Sequence, residues 1–246
     1  MAVPRLSGRP RAGAARLTRY RSVAGAAALP GTDPITLGSI IYDFWWGSGV
    51  TKVGGGTPSN GDTVESWAER NGGTSLVSSG APYQTYSSTA GIRNGVGVLM
   101  ALNDPVDLTP PFTVYVLCNY GGTNLYPIGG AGSGDGSQCS VLAGASNLQD
   151  FANSVLLTGT VTGTGGKLFR WRVTAAGAAY FKDGSAAEES VGAFGASNYV
   201  TWANTFWTGL AFESATNYTQ RITAFSADIV TGGQSTAVET YINAAG

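Results

Sequence analysis

An all-β fold is predicted for this chain: a two-sheet antiparallel sandwich with an extended N-terminal arm and a short C-terminal helix. Three observations carry the prediction. Short apolar segments alternate at period two, with Gly, Pro, Asn and Asp between them. Glycine supplies 37 of 246 residues and charged residues only 12%, against ordinary shares of about 7% and about 25%. Helical spacing occurs only at the end of the chain, so the strands do not alternate with helices as a parallel sheet requires.

The arm comes first. Residues 1–32 hold six arginines, Arg5, Arg9, Arg11, Arg16, Arg19 and Arg21, and no acid; the rest of the chain carries 8 bases and 15 acids. A +6 arm therefore precedes a −7 body, and the net charge of −1 hides the split. Being mostly Arg, Ala, Gly, Pro and Ser, the arm has too few apolar residues to fold alone. Residues 1–34 are read as arm and 35–246 as one sandwich domain. The basic start followed by 23–29, an alanine-rich stretch, is too weak an apolar region for a signal peptide. No apolar run approaches the ~20 residues of a membrane span. The protein is expected to be made in the cytoplasm.

Beyond the arm, Ile40 to Trp46 is a short apolar run and the first strand. A glycine-rich loop follows from Gly47 to Gly61, and Thr63 to Trp67 resumes β character. The clearest strand is Phe112 to Tyr120, after Pro110-Pro111 has barred a helix. Phe112, Val114, Val116, Cys118 and Tyr120 share one face, with Tyr115 and Leu117 on the other. Gly129 to Gly136 is a loop. In Lys167 to Thr174 the side chains of Phe169, Trp171 and Val173 oppose Leu168, Arg170 and Arg172. Asp183-Gly184 marks a hairpin turn. Tyr199 to Phe212 is aromatic and β-rich. In Arg221 to Val230, Ile222 and Ala224 oppose Thr223, Phe225, Ala227 and Ile229. Val238, Tyr241, Ile242 and Ala245 then make a helical stripe, and Thr236 with Glu239 has the spacing of a capping box.

Several of these pieces, in this order, resemble the laminin-G-like, concanavalin A-like jelly rolls of bacterial and phage proteins. The resemblance rests on Asn60 to Gly73 with its Trp67, on Ala81-Pro82-Tyr83, and on Gly91 to Val96. It extends to Pro111 to Val116, Arg221 to Ser226 and Ala237 to Ala244, so it covers about residues 35–246. Ala68 and Glu69 depart from the aspartate typical of the family, and Ala224 from its glutamate. Such a fold hosts lectins, glycanases, adhesion modules and virion proteins alike.

Catalytic chemistry is not expected. The chain has no histidine, which removes a Ser-His-Asp triad and a His-activated cysteine. No carboxylate pair has the arrangement a glycanase needs: Glu188 and Glu189 are adjacent and would point to opposite faces of a strand. Cys118 and Cys139 are read as two buried thiols, with pairing across a hairpin as the alternative. No cofactor or metal site is expected; Asp135 and Asp183 are isolated turn aspartates. Trp45, Trp46, Trp67, Trp202 and Trp207 could stack on sugar rings, although large aromatics usually fill sandwich cores.

Function is therefore expected to lie in binding. The acidic body offers no second basic patch for nucleic acid, and the arm is a poor membrane helix. A groove on neighbouring protein subunits suits the arm best, through Arg–carboxylate pairs along an extended track. A jelly roll with a basic arm, few charges and no active site resembles accessory virion proteins of tailed phages. That resemblance implies a non-enzymatic, oligomeric capsid decoration (cement) protein of the virion, anchored through the arm to the major capsid protein or other virion subunits. The alternative is a glycan- or receptor-binding module of a phage tail or bacterial adhesin.

Overall fold

The computed structural model describes residues 31–78, 80, 84–93, 100–103, 107–129, 137–142, 144–150, 155–194, 200–201, 204–205, 217–229 and 232–244. Among these, one 3-10 turn (Pro34–Thr36) precedes β1 (Ile40–Trp45), β2 (Val50–Lys52), β3 (Thr63–Ala68), β4 (Ser75–Ser78), β5 (Gln84–Ser87), β6 (Gly91–Arg93), β7 (Met100–Leu102) and β8 (Asp107–Leu108). Next come β9 (Phe112–Tyr120), β10 (Leu125–Gly129), β11 (Ser137–Leu142), β12 (Ala145–Asp150), β13 (Val155–Thr160), β14 (Gly165–Val173), β15 (Ala178–Asp183) and β16 (Glu189–Ala193). The chain ends with β17 (Val200–Thr201), β18 (Asn204–Thr205), β19 (Tyr218–Phe225) and α1 (Gly232–Ala244). The fold is all-β with one C-terminal helix, as the alternation predicts.

All pairings are antiparallel. One layer runs β1-β19-β9-β14-β15-β16. The other runs β2-β3-β4-β7-β18-β10-β11-β12-β13. The β5–β6 hairpin joins them at one edge, β5 pairing β3 and β6 pairing β19. Between the layers lies a core of Phe44, Trp67, Val114, Val116, Cys118, Phe169, Trp171 and Ile222, with Val141 and Leu148 from the facing sheet. Burying a side chain of this size contributes roughly 1.5–3 kcal/mol.

The first layer is covered on its outer face as well. Helix α1 packs Val238 and Ile242 onto Tyr115, Leu117, Leu168 and Phe225. β9 is thus apolar on both faces, as its sequence requires. The segment before β1 docks beside the helix: Thr32 N donates to Ala237 O at 3.0 Å. Gly31, at φ +95°, lies so close to α1 that a Cβ would overlap the Ala237 carbonyl.

Two expectations are revised, and the reading of the cysteines as buried thiols holds. Val50–Lys52, inside the expected Gly47–Gly61 loop, is a strand because it pairs Val64–Trp67. Helix α1 starts at Gly232, one turn before Ser235, so Thr236 lies within it and is not its cap. Glu239 instead turns to the sheet, accepting from Arg170 and Lys182. Cys118 and Cys139 are buried free thiols, and burial pushes both thiol pKa values up. The Gly129–Gly136 loop beyond Gly129 and most of Tyr199–Phe212 lie outside the described residues.

Candidate functional site

Alternation places charged side chains beneath α1 on the outer face of the first layer. A bulge between Ile40 and Tyr42 shifts the register of β1. Ile40 therefore joins the apolar cluster under the helix, while Phe44 enters the core and Asp43 points outward. Asp43 is fully buried. Its Oδ1 accepts from Arg221 Nε at 2.7 Å and Thr223 Oγ1 at 2.8 Å. Its Oδ2 accepts from Arg221 Nη2 and Arg70 Nη1, both at 2.6 Å. Arg70 also grips Asp33 through two bonds of 3.0 and 2.9 Å, and Tyr241 of α1 donates to Asp33 at 2.7 Å. Burial alone would raise the Asp33 pKa, but the Arg70 and Tyr241 bonds hold it below the ordinary value. A second network links Glu188 to Arg170 and Arg172, Arg172 to Asp228, and Glu239 to Arg170 and Lys182. These groups pair with one another, although Arg170 Nε and Arg221 Nη1 are buried without a partner among the described residues, and they fasten the helix and the entering chain to the sheet.

The six arm arginines, Arg5, Arg9, Arg11, Arg16, Arg19 and Arg21, lie outside the described residues, as do Trp202, Trp207 and Asp135. Trp67 is core, edge-on to Phe44 and donating Nε1 to Trp45 O at 3.0 Å. Trp45 is half-buried on the outer face, with the Arg70 guanidinium 5.7 Å from its ring centroid. Asp183 is structural, accepting from Thr162 and pairing with Lys167. Glu188 precedes β16 and Glu189 opens it, and the two diverge: Glu188 reaches the arginines, and Glu189 accepts from Thr160 N. Among the described residues no cluster of three or more Cys, Asp or Glu is gathered for a metal ion.

Trp46 is different. It follows the end of β1, and its indole meets the Tyr86 ring of β5 at a centroid distance of 5.9 Å and an angle of 45°. The cleft they wall has a volume of about 230 Å³. Gly47, Ser48 and Gly49 of the connecting turn line it, with Val50, Thr57 and Pro58. Gly47 packs against Trp45, where a Cβ would come within 2.6 Å of the ring, so this turn tolerates no side chain there. Both rings are half-buried, and burial raises the Tyr86 pKa. Trp46 Nε1 is buried with no hydrogen-bond partner. The rings offer an apolar platform, and the indole N–H and phenol O–H offer polar tips. Trp46 was legible as a candidate; Tyr86 was not, because only folding brings residues 46 and 86 together.

Two other hollows differ in character. Beside α1, a groove of about 500 Å³ is lined by Gly166, Leu168, Lys182, Gly184 and Ser185 from the sheet and by Thr236, Glu239, Thr240 and Asn243 from the helix. It is polar and has no aromatic wall. A smaller hollow of about 250 Å³ is lined by Gly72, Gly73, Thr74 and Asn103, next to Glu69. Glu69 is 3% exposed; Oε2 accepts from Gly73 N at 3.2 Å and Oε1 has no partner. Burial, with Asp43 nearby, pushes its pKa up to about 7.

No protein-family model and no curated protein matches the sequence. Solved structures match in fold. The binding domain of botulinum neurotoxin serotype D superposes with a TM-score of 0.52 at 9% identity, over 83% of this chain and 52% of that one. Trypanosoma rangeli sialidase in complex with sialic acid gives 0.51 at 10% identity, over 90% and 37%. A structure of botulinum neurotoxin type C, whose cell entry is described as dependent upon interaction with two ganglioside molecules, gives 0.51 at 8%, over 85% and 51%. The chain thus spans about half the length of the toxin chains and little more than a third of the sialidase. At such identities the likeness establishes a lectin-like jelly-roll sandwich and nothing finer.

Proposed function

We propose that this chain is a non-enzymatic glycan-binding module whose sugar platform is the Trp46–Tyr86 cleft. The observation that carries the reading is the cleft itself: two half-buried aromatic rings meeting at 5.9 Å and a glycine turn that leaves the platform open. Amphipathic rings of this kind present an apolar face and a polar edge together, which is what a sugar ring presents in return. The toxin and sialidase structures, whose descriptions name gangliosides and sialic acid, lend support at the level of fold.

A second reading, the arm-anchored virion decoration protein, is favoured by a different observation. Among the described residues Asp33, Asp43, Asp62, Asp183, Glu188, Asp228 and Glu239 are already paired with cations of the body. These seven of the chain's 15 acids are committed within the body, and a neighbouring subunit is the partner this reading assigns to the six arm arginines.

A glycan array probed with the full-length chain separates the two. The glycan reading expects a restricted set of bound sugars. Tyr86→Phe, which keeps the ring and removes the hydroxyl, should weaken binding severalfold, and Trp46→Ala about tenfold or more, equivalent to ~1.4 kcal/mol. A blank array overturns the glycan reading and leaves the anchored one.

A further inference from the structure

We infer that the Trp46–Tyr86 cleft selects an uncharged pyranose and discriminates against acidic sugars, sialic acid included. This rests on the glycan-binding reading and goes beyond it by naming the ligand class. It also runs against the simplest expectation from the fold comparisons, in which sialic acid is the sugar named.

Among the described residues, none that lines the cleft carries a charge. The nearest cation along the chain is Lys52, two residues past Val50, and it is committed to Asp62 at 3.2 Å. Asp62 is further held by Ser59 N at 2.8 Å, which fixes that pair in place. Arg70 lies over the other tryptophan, Trp45, and is engaged by both Asp33 and Asp43. A carboxylate entering the cleft would lose water and meet no free counter-charge among the described residues, and burying a charge without a partner is strongly unfavourable. A hydroxymethyl group in the same place meets no such penalty. The Trp46 and Tyr86 rings offer an apolar platform on which a neutral pyranose ring can stack. At about 230 Å³ the cleft falls below the ~300 Å³ at which small-molecule sites usually begin. It therefore suits one ring and not an extended chain.

The test uses pairs of sugars that share a ring and differ at one carbon: methyl β-glucoside against methyl β-glucuronide, and methyl β-galactoside against methyl β-galacturonide. The methyl glycoside of N-acetylneuraminic acid completes the set. Each is titrated into the full chain while tryptophan fluorescence or heat is followed. The inference expects a neutral member to bind at least tenfold more tightly than its acidic partner. It also expects Ser48→Arg, which sets a cation at the rim, to narrow or reverse that ratio. Acidic sugars bound as well as neutral ones, with Trp46→Ala abolishing both, would overturn the inference while leaving the glycan reading intact. If no sugar binds and Ser48→Arg changes nothing, the glycan reading fails and takes the inference with it.

Discussion

The two faces of the sheet at β1, β19, β9 and β14 are both largely buried, yet they are built from opposite materials. Inward, Phe44, Val114, Val116, Phe169, Trp171 and Ile222 pack against the second sheet. Outward, the very next residues along the same strands include Asp43, Arg170, Arg172 and Thr223, buried under α1 and the segment entering β1. In a chain with only 12% charged residues, Asp43, Arg170, Arg172 and Arg221 are all buried in this outer layer. The contrast teaches what each face does. An apolar face asks for volume, and many side chains can supply it. A buried ionic face asks for specific geometry, because an unmatched group there is costly. The inner face therefore stabilises the sandwich, and the outer face dictates where α1 and the entering chain sit.

The sharpest way to break the comparison is Asp43→Ala. It strands Arg221, which is fully buried, and removes one of the two carboxylates that hold Arg70. Breaking a buried pair from one side costs about 3–5 kcal/mol, so the urea midpoint should fall far more than for any single conservative change in the core. Replacing the pair together, Asp43→Leu with Arg221→Met, should recover most of the loss, since a well-packed apolar substitute often equals a buried ion pair. If the double variant is no more stable than Asp43→Ala, the charge pair itself, and not the stranded partner, sets the cost.

A second comparison lies within the carboxylates. Asp33 and Glu188 are buried, which raises their pKa values, but their bonds to Arg70 and Tyr241, and to Arg172 and Arg170, hold both below ordinary values. Their contribution is complete above the ordinary carboxylate range and is lost as pH falls below it. Glu69 has no cation partner among the ion pairs of this layer, and burial lifts it from 4.5 to about 7. The folded state holds that proton more tightly than the unfolded state does. Glu69 thus favours folding below pH 4.5, and the benefit is lost as pH rises toward about 7. Glu69→Gln should leave stability near pH 5 almost unchanged and remove the decline between there and pH 7, read from urea midpoints across the range. An unchanged slope would mean that another group carries it.

What the sequence discloses follows from the range of the interactions. Alternation in Phe112–Tyr120 and Lys167–Val173 is a local signal, and the structure keeps the same inward and outward sets. The helical stripe around Val238 and Ile242 is local too, and it lies where spacing put it. The ionic layer is not local: Asp43 and Arg221 are 178 residues apart, and Asp33 and Tyr241 are 208 apart. The alternation set Arg170 and Arg172 opposite Phe169 and Trp171, but their partners on α1 and at Glu188 are assembled only by folding. Val50–Lys52 was hidden among glycines because three residues carry too little pattern to outweigh their neighbours. β11 and β12 gave little signal for a related reason: their Ser, Asn and Gln satisfy the pleat without the apolar contrast that alternation needs. In the candidate cleft Trp46 could be named from sequence, whereas Tyr86 entered only through the β3–β5 pairing.

The mildest prediction tests whether the inner face is as forgiving as the comparison claims. Ile222 sits in the core directly across from Phe44 on β1 and from Val116 on β9, one residue from Thr223, which donates to Asp43. Ile222→Val removes one methyl group from the packed side and leaves the charged side untouched. Such a change typically costs about 0.5–1.5 kcal/mol, well under the loss expected from Asp43→Ala on the opposite face of the same pair of strands. The two sites share a backbone, so any coupling between the faces should appear as non-additivity when both changes are combined. Additive losses would mean that the strand transmits little from one face to the other. A loss from Ile222→Val alone that matched Asp43→Ala would mean the inner face is as exacting as the ionic one, and the division of labour between them would not hold.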